Sequence, residues 1–81
     1  MEEIRRAIDA VNGEILGLLK RRLELVEEIW ELKRRREMEL LDPAREEEMI
    51  DALLEQNRGA LKPQAIRAIF AQIFRSTRPE A

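Results

Sequence analysis

From Glu2 to about Arg36 the chain has no proline, and its apolar residues keep helical time. Ile4, Ile8, Val11, Ile15 and Leu18, then Leu25, Ile29 and Leu32, step by threes and fours as a heptad-like seam. A second stripe of Leu16, Leu19, Leu23, Val26 and Trp30 lies beside it. At 100° per residue the two stripes together span roughly 160° of the circumference, wider than a two-helix seam requires. A helix of ~35 residues is ~50 Å long, well beyond the diameter of an 81-residue globule. One chain of this size cannot cover such a rod, so the pattern predicts pairing with a second copy.

The rest of the chain is punctuated by proline and glycine. Asp42–Pro43 places a favoured N-cap before a favoured first helical residue. The helix that follows carries Met49, Ile50, Leu53 and Leu54 and stops near Asn57–Arg58–Gly59. A third begins at Lys62–Pro63, presents Ile66, Ile69, Phe70, Ile73 and Phe74 on one face, and reaches about Thr77, before Pro79. There is no internal repeat and no strand-like alternation. The expected fold class is all-α: a single domain over residues 1–81, with one long N-terminal helix, a loop around residues 37–41 and two shorter helices.

Composition narrows the chemistry. The chain has no cysteine and no histidine, so disulfides, thiolate zinc sites and nucleophiles activated by histidine are excluded. Fifteen Lys and Arg against 17 Asp and Glu leave a net charge of −2, which supplies no bulk basic field for nucleic acid. No apolar stretch approaches the ~20 residues of a membrane span, and no signal-peptide pattern opens the chain. These features predict a cytoplasmic protein with no nucleic-acid or membrane partner, and with neither a cofactor nor a metal.

Most of the charge lies in runs such as Glu27–Glu28 and Arg34–Arg35–Arg36 that solvate helix faces. The informative charges are in phase with apolar stripes. Arg22 continues the seam of Leu18 and Leu25. A buried arginine needs an anion, which could be a structural glutamate, a register-fixing contact or a ligand. Lys33 and Arg5 fall in phase with the second stripe, where a long aliphatic stem can also simply lie along an apolar edge. Arg22 and Lys33 are about 20° apart on the wheel and ~16 Å apart along the axis, close enough for two long side chains to hold a small dianion. Arg5 lies ~25 Å before Arg22, so it could join that site only from an antiparallel second chain. On the second helix Arg45 and Glu46 precede Met49 and Ile50 by one turn and share their inward face. Asp42 caps that helix, whose free N–H groups suit an anion or hydroxyl. Thr77 extends the line of Ile66, Phe70 and Ile73, either as an interior hydroxyl or as a residue of the last, fraying turn. The set suits holding a carboxylated small molecule better than covalent or metal chemistry.

The ordered set Arg5, Arg22, Lys33, Asp42-x-x-Arg45-Glu46 and Thr77 resembles the all-helical (type II) class of chorismate mutases. So do Ile8–Asp9, Leu18-Leu19-x-x-Arg22, Glu28-Ile29-x-x-x-Lys33, Asp42-Pro43-x-Arg45-Glu46-Glu47 and Ile69-Phe70-x-x-Ile73-Phe74, across essentially the whole chain. The resemblance implies an intertwined antiparallel homodimer of three-helix protomers that rearranges chorismate to prephenate in phenylalanine and tyrosine biosynthesis. It implies that Arg22 and Arg5 of the partner subunit bind the two carboxylates and that Lys33 sits near the ether oxygen. It further implies that Glu46 accepts from the ring hydroxyl, that the backbone around Asp42 and Arg45 assists, and that Thr77 bonds a carboxylate. Lys33, Arg22 and Glu46 would then be catalytic.

Two positions depart from the family pattern. Ala81 stands where the family has glutamine or glutamate beside the lysine, which implies a truncated or altered chain or weakened turnover. Trp30 stands where a small residue is usual, and its ring could fill the site or pack at the dimer seam. The same residues are compatible with a domain excised from a bifunctional aromatic-pathway enzyme. They are also compatible with an isochorismate–pyruvate lyase, with an inactive or regulatory dimer of the same fold, or with a generic helical interaction module.

Overall fold

The first helix, α1, runs from Glu2 to Arg35 in a computed structural model that describes residues 1–79. Glu2 and Glu3 open it and Lys33, Arg34 and Arg35 close it, each charge complementing the helix dipole at its end. It stops without a glycine. Glu37 takes a left-handed conformation (φ 54°), while its N–H donates to the Arg34 carbonyl (3.1 Å) and that of Met38 to Lys33 (2.8 Å). That pair of bonds is the Schellman pattern, with a glutamate where glycine is usual.

The second helix, α2, spans Pro43–Asn57, and the third, α3, spans Pro63–Ser76. Asp42 caps α2 as its sequence suggests: one carboxylate oxygen accepts from the Arg45 N–H at 3.0 Å. The turn into α3 needs two successive left-handed residues, Arg58 (φ 49°) and Gly59 (φ 78°). The Asn57 side chain holds that turn, donating to the Leu61 carbonyl (2.7 Å) and accepting from its N–H (2.9 Å). The architecture is all-α, with three helices and no strand among the described residues.

The core is small and sits between α2 and α3. Ile50, Ile66 and Phe74 are buried, and Thr77, at 3% exposure, is the most enclosed polar residue described. Phe70 and Phe74 pack with ring centroids 6.2 Å apart. By contrast α1 has no buried residue, and its seam is open: Ile4 is 67% exposed and Leu18 69%, with Ile8, Val11 and Ile15 about half. The molecule measures 53 × 24 × 16 Å with a radius of gyration of 15.5 Å. A compact chain of this length would have a radius near ~12 Å, so the excess belongs to the projecting rod of α1. The seam through Ile4 to Leu18 therefore remains uncovered in the single protomer, whereas Leu19, Leu23, Val26 and Trp30 of the second stripe are partly buried.

Candidate active site

The second half of α1 runs across the α2–α3 pair, and the three helices enclose a cavity of about 480 Å³. That volume lies within the ~300–1,000 Å³ usual for small-molecule sites. Its apolar side is built largely from α1, by Leu25, Val26, Ile29 and Trp30. The polar side comes from all three elements: Arg22 and Lys33 from α1, Asp42, Arg45 and Glu46 from the start of α2, and Arg78 just after α3.

Arg22 is the most constrained of these. Its Nη1 donates to the Thr77 hydroxyl, its Nη2 approaches Met49 Sδ at 4.0 Å, and its guanidinium carbon lies 4.7 Å from the Phe74 ring centroid. Residues of α2 and of the end of α3 thus hold one guanidinium of α1, a hydrogen bond and a cation–π contact fixing its orientation. Burial lowers its pKa from the ordinary value, and the nearby Glu46 carboxylate offsets part of that effect. A half-buried cation of this kind is disposed to receive a further anion.

Lys33 Nζ donates to the Leu40 carbonyl at 3.0 Å, which ties the lysine to the loop between α1 and α2. An ammonium has three N–H donors, and this contact takes one of them. Arg45 pairs with Glu48 at 3.5 Å, an exposed pair of the kind that contributes little to stability. Its backbone N–H is the group capped by Asp42. Glu46 accepts from Arg78 Nη2 at both carboxylate oxygens, 3.0 and 3.3 Å away. Of the two acidic groups lining the cavity, one therefore caps a helix and the other is paired, so the lining favours an anion.

The structure brings five of the anticipated residues, Arg22, Lys33, Asp42, Arg45 and Glu46, to one cavity. Thr77 is not part of the lining; it stands behind Arg22, accepting from it and donating to the Ile73 carbonyl at 2.7 Å. Arg5 is not brought to the cavity. It lies near the start of α1, exposed and paired with Glu2 at 3.5 Å. Trp30 forms part of the cavity wall, with the Arg34 guanidinium 6.0 Å from its ring. Ala81 lies outside the described residues.

Arg78 and Phe74 were not singled out from the sequence as site residues. The signal was present: Ile66, Phe70, Phe74 and Arg78 step by fours, so Arg78 continues an apolar line just as Arg22 does. Pro79 immediately after it marks the helix end, where phase loses its force. Among the described residues no group of three or more Asp, Glu, His or Cys is placed to hold a metal ion. No helix described is long and apolar enough to cross a membrane.

Comparison with known proteins agrees with the all-helical fold. The pattern of the family described as chorismate mutase type II matches residues 4–80. A chorismate mutase structure from Thermus thermophilus superposes with a TM-score of 0.90 at 39% identity, covering 94% of this chain and 95% of that one. A bifunctional chorismate mutase/prephenate dehydratase of Aquifex aeolicus is 31% identical over 78 residues. That match takes in 91% of this chain but 22% of the relative's length. Matched across nearly all its residues, and folded alike, the chain belongs to the type II chorismate mutase family.

Proposed function

We propose that residues 1–81 form a single chorismate mutase domain, an isomerase that rearranges chorismate to prephenate in the cytosol as a step of aromatic amino-acid biosynthesis. The observation that carries this reading is the convergence of Arg22, Lys33 and Glu46 on one cavity in a chain of this family. The rearrangement is pericyclic: one C–O bond breaks as one C–C bond forms, with no proton transfer and no covalent intermediate. Catalysis then consists of selecting the compact, chair-like conformer and stabilising the charge that separates in the transition state.

Each residue has a part in that scheme. Arg22, already oriented by Thr77 and Phe74, binds one carboxylate. Lys33 donates to the ether oxygen, where negative charge grows as the C–O bond lengthens. Glu46 accepts from the ring hydroxyl, assisted by the backbone at Asp42 and Arg45. Thr77 acts through Arg22. The second carboxylate falls to Arg5 of the partner subunit, in an intertwined dimer whose α1 helices run antiparallel. Two features support the dimer: the open apolar seam of α1, and the ~25 Å rise that separates Arg5 from Arg22 on one helix.

The test is to incubate the purified chain with chorismate, follow loss of its ultraviolet absorbance and identify the product. Prephenate is the expected outcome. Salicylate with pyruvate would instead indicate lyase chemistry, and no turnover at high protein concentration would assign the chain to a non-catalytic role.

A further inference from the structure

Consecutive residues after α3 reach the two oppositely charged groups at the centre of the cavity. Thr77 meets Arg22, and Arg78 meets Glu46. The second contact spans 32 residues of sequence, and one guanidinium nitrogen serves both carboxylate oxygens. Each of the two side chains is 32% exposed, so water screens the pair only in part. Arg78 Nε is buried and has no hydrogen-bond partner among the described residues. A smaller groove of about 320 Å³ between α2 and α3 shares Glu46, Phe74 and Arg78 with the main cavity, so the ion pair forms a wall between the two.

A carboxylate facing a doubly charged acid presents a conflict. As a carboxylate Glu46 accepts strongly from a substrate hydroxyl, yet an unpaired charge there repels the substrate's own carboxylates. The guanidinium of Arg78 resolves both requirements, since it offsets the charge and fixes the carboxylate plane while Glu46 still lines the cavity. Resting on the mutase reading above, we infer that Arg78 is a positioning residue that holds Glu46 and offsets its charge, so that a dianionic substrate can bind beside it.

A double-mutant cycle on the full chain tests this. Arg78→Ala is expected to raise KM about tenfold while kcat stays within about threefold, because the repulsion acts on the bound dianion before chemistry. Arg78→Lys, which keeps the charge, should return KM to within about threefold of the parent. In a Glu46→Gln background there is no charge to offset, so Arg78→Ala should change KM by less than about twofold. An equal loss in both backgrounds would show that Arg78 touches substrate or merely supports the fold, and would overturn the inference. Thermal unfolding of the parent, Arg78→Ala, Glu46→Gln and the double variant without substrate reads the pair independently of turnover, and additivity there would also overturn it. A parent that fails to turn over chorismate yet shows thermal coupling would refute the mutase reading and take this role with it. A parent that turns over but gives an additive kinetic cycle refutes the role of Arg78 alone.

Discussion

Thr77→Val isolates the contact that holds Arg22 in place. Threonine and valine have nearly the same shape, and the site is 3% exposed, so the substitution leaves packing intact and removes only the hydroxyl. Two hydrogen bonds are lost, but they do not count equally. The Ile73 carbonyl keeps its backbone partner, the Thr77 N–H at 2.9 Å, so it is not left unsatisfied. The loss therefore falls on Arg22, whose bond is charge-assisted and of a type worth ~1.5–3 kcal/mol. Arg22 is only part-buried and can recruit water, which reduces the expected cost to ~1–1.5 kcal/mol of stability. If the same looseness is carried into substrate binding, ~1.4 kcal/mol corresponds to a tenfold loss of kcat/KM. Urea unfolding and steady-state kinetics on chorismate measure the two effects, with Thr77→Ser, which keeps the hydroxyl, as the control. Parental stability together with parental kcat/KM in the valine variant would refute the view that Thr77 orients Arg22.

Other substitutions test the remaining parts. Lys33→Ala should lower kcat by ~10²–10³ while helical circular dichroism is retained, since it removes a donor to developing negative charge. Arg22→Ala should abolish detectable turnover with the same spectroscopic outcome; near-parental kcat/KM in either variant contradicts the site. Val11→Asp with Ile15→Asp should convert a dimer to monomer by sedimentation or light scattering, because both side chains are about half exposed on the open seam and would carry charge into the interface. Glu37→Gly should stabilise the fold by ~0.5–1 kcal/mol by relieving a left-handed glutamate at the end of α1, read by chemical denaturation.

Helix boundaries were legible wherever the chain signals them chemically. Pro43 and Pro63 begin helices where expected, and the turn after Asn57 uses the positive φ that Gly59 accommodates. The end of α1 was legible only approximately, because Glu37 adopts there a conformation that glycine normally announces. Helical phase also located Arg22, Lys33 and Glu46, since an in-phase charge faces the interior whichever helix packs there, whereas Arg45 lines the cavity with its side chain exposed beside Glu48. Phase gives an angle, however, and not the side chain's reach or its partner. Thr77 faces inward as expected, yet its hydroxyl is spent on Arg22 and Ile73 instead of lining the cavity. Arg78 obeys the same phase, but Pro79 directly after it puts the residue beyond the helix, where phase no longer fixes direction. The Lys33 contact with the Leu40 carbonyl depends on the path of a loop, which no periodicity encodes.

The proposed assembly of one active site from two chains is tested most directly by mixing two inactive variants. Arg5→Ala and Arg22→Ala chains are purified separately, exchanged at equal concentration and assayed with chorismate. In a hybrid dimer one site combines an intact Arg22 with an intact Arg5 of the partner subunit, while the other site lacks both. Random exchange makes about half of the dimers hybrid, so activity should recover to roughly a quarter of the parental value. No recovery, with subunit exchange confirmed by mass-tagged chains, would contradict a site shared across the interface.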